Sequence, residues 1–240
     1  LYMHHLKDSQ EFDTKLKYYL LKYYLSFHQK YFHLIHLNLL PLEKLKVINP
    51  GKIKEISAGL LRGQTKKMFS EFPIAGKLPT GVVFSDAASC DIYVGIHRLT
   101  DRDQEPLYLI PAALIAGIGC RKGARREQLD ALFEEVLEQN NVWQQAVQKI
   151  CSIDLKKEEP GLLLFCAEHG ILLETYDAET LRNLDGEFTA SAFVSQVTGV
   201  DNVCERSAMA GSQNGKILIS KMAKNGVTVA FVLDEVKISF

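Results

Sequence analysis

The chain has 240 residues, 47% of them apolar and 24% charged, with a formal net charge of -1. That length supports a substantial core, in one large domain or two small ones, and the mix is typical of a globular protein. The near-neutral balance excludes a generic nucleic-acid binder, which is basic, and no run reaches the uninterrupted apolar length of a membrane span.

Residues 1–41 are set apart by their Tyr, Phe, His, Leu and Lys. Leu16, Leu20, Tyr23, Tyr24 and Phe27 fit a helical period and predict an N-terminal helical extension. His28, His33 and His36 raise the question of a metal, but no acidic or Cys partner completes a zinc-type set, and none is expected. The zones of a signal peptide are missing, and Leu1 in place of Met fits a fragment or a partial reading frame. Residues 42–63 read as a short helical segment punctuated by Pro50-Gly51, with Ile53, Ile56 and Leu60 on one face. Residues 82–85 and 92–96 look like two strands joined by a polar turn at 86–89. The charged stretch 100–106 reads as a linker, and the main domain boundary is placed near it. This divides the chain into a small α+β linker domain over 42–110 and a C-terminal domain over 111–240.

The remainder alternates. A strand at 114–119 precedes a helix at 125–139, with Leu129, Leu132, Phe133, Val136 and Leu137 on one face. A further helical stretch at 143–149 and a short strand at 150–153 follow. The helix expected at 159–169 has Pro160 at an early position that helices tolerate and Gly170 as its stop. A strand at 171–174, helices at 191–198 and 204–210, and β-rich segments at 216–219 and 227–233 complete the pattern. Such alternation predicts an α/β fold, a three-layer α/β/α domain. The last two strands lie too close for a helical crossover, so the sheet is expected to be mixed.

The segment Gly117-Ile118-Gly119-Cys120-Arg121-Lys122-Gly123 carries the most chemistry. Its order reads strand, glycine turn, helix. A turn of that kind offers backbone N–H groups at a helix start, a seat for an anion, with Arg121, Lys122, Arg125 and Arg126 close by. It is neither the dinucleotide fingerprint nor a P-loop, and an ordinary strand–helix connection has the same spacing. Five cysteines, at 90, 120, 151, 166 and 204, show no CxxC pair or Cys/His metal spacing. They read as reduced thiols of a cytoplasmic protein, with Cys151 and Cys166 in the core.

Ligands of open α/β sheets bind beyond the carboxyl ends of strands. Loops after Gly119, Ile153 and Ile219 would bring Cys120, Arg121, Lys122, Asp154, Lys156, Glu159 and Lys221 together. Cations there would hold substrate carboxylates, and a carboxylate could serve as general base on water. Asp154 and Glu159 are the catalytic candidates. Asp154 also suits a backbone turn, and Glu159 suits a helix start. Cys120 is either a nucleophile with a thiol pKa lowered by a helix N-terminus and two cations, or a small residue packed under the loop. Glu205 reads as a helix cap, and His97 as an exposed histidine at a strand end.

Four blocks in order resemble the cobalamin-biosynthesis family of cobalt-precorrin-5A hydrolase (CbiG) and its shorter relative CobE. These are residues 117–123, then Ser152-Ile153-Asp154-Leu155-Lys156-Lys157-Glu158-Glu159-Pro160-Gly161-Leu162, then 199–208 around Asp201-Asn202-Val203-Cys204-Glu205-Arg206, and Lys221 with Gly226-Val227-Thr228-Val229-Ala230. The resemblance covers about 114–232, with a weaker likeness to the family's linker region over about 42–63. It implies hydrolytic opening of a δ-lactone on cobalt-precorrin-5A and loss of acetaldehyde, giving cobalt-precorrin-5B. It also implies substrate binding by Gly117, Gly119, Cys120, Arg121, Lys122, Gly123, Lys156, Glu205, Lys221 and Thr228. The substrate is a cobalt corrinoid that brings its own metal, so no cofactor and no protein metal site are implied. The implied partners are that small molecule and either a second copy or other cobalamin-pathway enzymes, with no nucleic acid and no membrane. The family's N-terminal Ser-Gly-His and Gly-Gly-Ala-Asn patterns are absent. A CobE-like carrier of a corrinoid intermediate is therefore the alternative, and a truncated inactive product a third reading.

Overall fold

A computed structural model describes residues 45–189 and 200–239. The helices expected in residues 1–41 and at 191–198 lie outside the described residues.

The first sheet has the order β1-β6-β5-β2-β4, built from β1 (Leu45–Val47), β2 (Lys66–Ser70), β4 (Val82–Phe84), β5 (Ile92–Val94) and β6 (Leu107–Pro111). Helix α1 (Gly51–Leu61) follows β1, so the expected helical segment begins with a strand. Ile53 and Ile56 of α1 pack on Met68, Ile92, Leu107 and Leu109. Strands β4 and β5 are not a hairpin: both run parallel to β2, which lies between them. The stretch 100–106 joins β5 to β6, two parallel neighbours of this sheet, and is not where the sheets part. The chain crosses to the second sheet between Pro111 and Leu114.

The second sheet has the order β10-β11-β7-β8-β9. Its strands are β7 (Leu114–Cys120), β8 (Val147–Ile153), β9 (Leu172–Tyr176), β10 (Lys216–Lys224) and β11 (Val227–Leu233). β7, β8 and β9 are parallel, while β11 pairs antiparallel with both β7 and β10, so the sheet is mixed. Helices α2 (Arg126–Gln139) and α3 (Pro160–His169) cover one face. Helices α4 (Ala178–Arg182) and α5 (Val203–Gly211) lie together on the other, making three layers. Side chains alternate across a strand, and β7 shows it. Leu114, Ala116 and Ile118 join Leu129, Phe133 and Phe165 in the main core. Ile115 faces the opposite way, with Cys151, Ala208 and Val232. Residues 143–149 are not a helix: one 3-10 turn, Gln144–Ala146, runs directly into β8.

Local signals set the helix ends. Pro160 opens α3, and Gly170 closes it in the left-handed conformation at φ 62°. Asn202 caps α5 by accepting the Glu205 N–H at 2.9 Å. The two sheets share one core, in which Tyr93, Tyr108 and Ile110 meet Leu132, Phe133 and Val136. A parallel pair of β3 (Ile74–Ala75) and β12 (Ile238–Ser239) returns the C-terminal end to the first half.

Candidate functional site

Parallel β7 and β8 end at one edge of the second sheet, where α2 and α3 begin. Gly117 and Gly119 are not in a turn but inside β7, where they serve close approach. A Cβ on Gly119 would stand 2.6 Å from Thr228 Oγ1, and Thr228 is its partner across the β11 ladder. Val203, at the start of α5, lies just beyond on the same side. The missing side chains thus let α5 bring its N-terminus down onto the carboxyl end of β7. Of the three motif glycines only Gly123 turns the chain, at φ 73°.

Two of the loop's N–H groups are already taken. The Arg121 N–H donates to the Gly226 carbonyl at 2.9 Å, and the Gly123 N–H donates to Glu159 Oε1 at 2.8 Å. The other Glu159 oxygen accepts from Lys156 Nζ at 3.0 Å. Burial opposes the Glu159 charge, since the residue is 8% exposed. The Lys156 ammonium and the Gly123 N–H outweigh that cost and hold its pKa below the usual carboxylate value. An occupied, acid-shifted carboxylate makes a poor general base, so Glu159 is a clasp between the β7 and β8 loops. Asp154 differs. It begins the 3-10 turn Asp154–Lys156 at the end of β8, is half-buried, and its carboxylate has no hydrogen-bond partner among the described residues. Of the two readings of Cys120, the packed small residue fits better: burial pushes its thiol up to about 11 despite Lys156.

Glu205 and Lys221 also depart from expectation. Glu205 is 1% exposed and lies beneath the rim rather than on it. Its carboxylate accepts from Thr189 N, Asn202 Nδ2 and Lys221 N, each at 2.7 Å, and from Thr189 Oγ1 at 3.0 Å. Lys221 is not in a loop after Ile219, because β10 continues to Lys224. Thr228 Oγ1 donates to the Gly119 carbonyl at 3.3 Å and so serves the strand pair. What remains at this edge is a set of cations, Arg121, Lys122, Lys157 and Lys221, with no ion-pair partner among the described residues. Two cavities, of about 710 and 570 Å³, lie elsewhere, the first beside Lys52, Arg98 and Arg102, the second beside Lys46, Gln148 and Asp234. We place the candidate site at the rim, which is an open surface, because the chemistry converges there.

Residues 114–232 match the family described as cobalamin synthesis G C-terminus. This stretch belongs to the CbiG/CobE family. Over 121 residues, half of this chain, it is 35% identical to the cobalt-precorrin-5A hydrolase of Salmonella typhimurium, covering 34% of that protein. A hydrolase of the same name from Priestia megaterium is 23% identical over 188 residues, 75% of this chain and 50% of the relative. Protein CobE of a Sinorhizobium species is 29% identical over 109 residues, 45% of this chain and 71% of that protein. The chain thus spans between a third and a half of the two hydrolases.

The matched CbiG stretch holds the whole rim. One further cluster lies outside it, at the carboxyl ends of β2 and β5. Glu71 Oε1 accepts from the Tyr93 hydroxyl and contacts His97 Nδ1 at 2.6 Å, while Oε2 accepts the Ile96 N–H at 2.8 Å. Gly95 leaves room for this carboxylate: a Cβ there would stand 2.6 Å from Glu71 Cδ. His97 is therefore no free surface histidine, and its bond to Glu71 raises its pKa. No spacing signals this pair, since 26 positions separate the partners. Among the described residues no group of three His, Cys, Asp or Glu is placed to hold a metal, and no helix is long and apolar enough to cross a membrane.

Proposed function

We propose that this chain acts in cobalamin biosynthesis by binding an anionic cobalt corrinoid at the carboxyl rim of the second sheet and hydrolysing its δ-lactone. The observation that carries the reading is the pairing of unpartnered cations with the unpartnered, half-buried carboxylate of Asp154 on the same edge. Arg121, Lys122 and Lys221 supply charge for the acidic side chains of the macrocycle, Arg by bidentate pairing and Lys as a mobile point charge. Asp154 supplies the base. Water attacks the lactone carbonyl carbon while Asp154 takes its proton. The ring C–O bond breaks, and its oxygen leaves as an alcohol after taking up a proton. Loss of that hydroxyl proton and cleavage of the adjacent C–C bond then release acetaldehyde. The bonding pair passes to the macrocycle, which is protonated in turn. The names of the two hydrolase relatives support this reaction. The match to Protein CobE supports a second reading, a carrier that binds the intermediate without hydrolysing it.

The test is acetaldehyde release from cobalt-precorrin-5A by the purified chain. Asp154→Asn keeps size and removes basicity, and is expected to lower the rate by about 10²–10⁴-fold while binding survives. Arg121→Ala with Lys122→Ala is expected to weaken binding by roughly 1–3 kcal/mol. Binding without release by the unmutated chain would favour the carrier. Release that Asp154→Asn leaves intact would remove Asp154 as the base, and unchanged affinity in the folded double mutant would move the site away from this loop.

A further inference from the structure

Strand β10 does not run in even register with β11. Ile219 pairs with Phe231 and Met222 with Val229, so three steps on β10 oppose two on β11. Such a bulge frees a backbone group and re-aims a side chain, and bulges are common beside functional sites. Here the freed group is the Lys221 N–H, which turns to Glu205 Oε1 at 2.7 Å.

Glu205 is an unusual residue to find at this depth. A buried carboxylate is costly unless it is paired or hydrogen-bonded. No cation forms an ion pair with it among the described residues, and N–H and O–H donors from three separate segments surround it instead. Asn202, fully buried, completes the network: its amide donates to Glu205 and to the Thr189 carbonyl, and its oxygen accepts the Glu205 N–H. The network joins the start of α5, Thr189 and the bulge of β10. Packing on β7 holds the α5 end of it, and Val203 sits against Gly119. The carboxylate is therefore a fixed point to which the bulge is tied.

We infer that Glu205 is a positioning residue that holds the β10 bulge and thereby sets the Lys221 ammonium on the rim as an anchor for one carboxylate of an anionic tetrapyrrole. The anchor rests on the binding function proposed above; the tie between Glu205 and the bulge does not. Lys221 is half-buried, which restricts its stem, and it has no competing acidic partner among the described residues.

Two measurements on the full chain test this. The first is amide hydrogen exchange, with no ligand. In the unmutated protein the Lys221 amide should be protected like the Val229 and Phe231 amides of the ladder. In Glu205→Asp, one methylene shorter, it should exchange at least about tenfold faster while the ladder amides stay protected. Free exchange of Lys221 in the unmutated protein would overturn the tie even if no Glu205 variant folds. The second is spectroscopic titration with cobyrinic acid, a corrinoid polycarboxylate. Lys221→Ala is expected to weaken binding about tenfold to a hundredfold, the range for a lost charge-assisted contact. Glu205→Asp should weaken it similarly, and the two together should cost no more than Lys221→Ala alone. Multiplying penalties would mean that Glu205 acts only through general stability and would overturn the positioning role. Unchanged affinity in Lys221→Ala would overturn the anchor. No binding by the unmutated chain would instead strike the proposed function, leaving the exchange result to decide the tie.

Discussion

The carbonyl oxygen of Cys204 occupies the place of a side chain on Gly117: a Cβ there would stand 1.8 Å from it. Both atoms are fixed, one in the central strand of the second sheet and one in the first turn of α5. Gly117→Ala must therefore lift the helix or bend the strand. We expect a loss of about 3 kcal/mol or more, at or above the upper end of ordinary overpacking. Gly123→Ala is the comparison, because nothing crowds its Cβ and only its φ of 73° opposes a side chain. That strain costs about 1–2 kcal/mol. Urea midpoints of the two variants check the order, and equal losses would show that α5 is not seated on β7 as described.

Cys120 is the only one of the five cysteines that is not fully buried. Its thiol is nonetheless raised from 9.0 to about 11, chiefly by burial, with Lys156 opposing the shift and Glu159 adding to it. About a hundredfold less thiolate is then present near neutral pH than for a cysteine at the ordinary value. We expect Cys120 to react with a disulfide reagent correspondingly slowly, and Cys120→Ser to match the unmutated chain in assays of the proposed corrinoid binding and acetaldehyde release. Rapid labelling, or a serine variant that binds but does not turn over, would restore the nucleophile.

The pair of Glu71 and His97 should make stability depend on pH in a defined window. The Glu71 bond raises the imidazole pKa above 6.5, so His97 contributes fully below 6.5 and its contribution is lost as pH rises through the folded value. Burial opposes the Glu71 charge, but His97, Tyr93 and the Ile96 N–H outweigh it and lower its pKa below 4.5. Its contribution is present above 4.5 and is lost as pH falls through the folded value. The pair is therefore at full strength between about 4.5 and 6.5. The gap in denaturation midpoint between the unmutated chain and His97→Gln should be widest there and should narrow above neutrality. A gap independent of pH would assign the loss to packing alone.

Ile238 is 3% exposed and packs with Ile53, Ile56 and Met68, although 170 or more positions separate it from them. Its strand pairs parallel with Ile74 and Ala75. Ile238→Ala should cost about 2–5 kcal/mol, as for other large-to-small core changes. Residues 112–234, which contain the complete second sheet and the helices on it, are expected to unfold cooperatively by themselves. An Ile238→Ala variant as stable as the parent would mean that the C-terminal segment does not support the first sheet.

Much of the fold could be read along the chain. Apolar runs of strand length alternate with helical periods from residue 114 onward, and Pro160 and Gly170 mark boundaries that depend only on backbone conformation. The α/β class, the mixed sheet and the carboxyl edge follow from such short-range signals, and so does the rim of Arg121, Lys122 and Asp154. Partners distant in sequence could not be read this way. Spacing does not show that β2 slides between β4 and β5, that Glu205 turns inward to the Lys221 N–H, or that Gly117 makes room for a carbonyl 87 positions later. Periodicity reports which face of an element is buried. Only the packed structure decides what that face meets, and there a glycine read as a turn became a contact, and a carboxylate read as catalytic became a clasp.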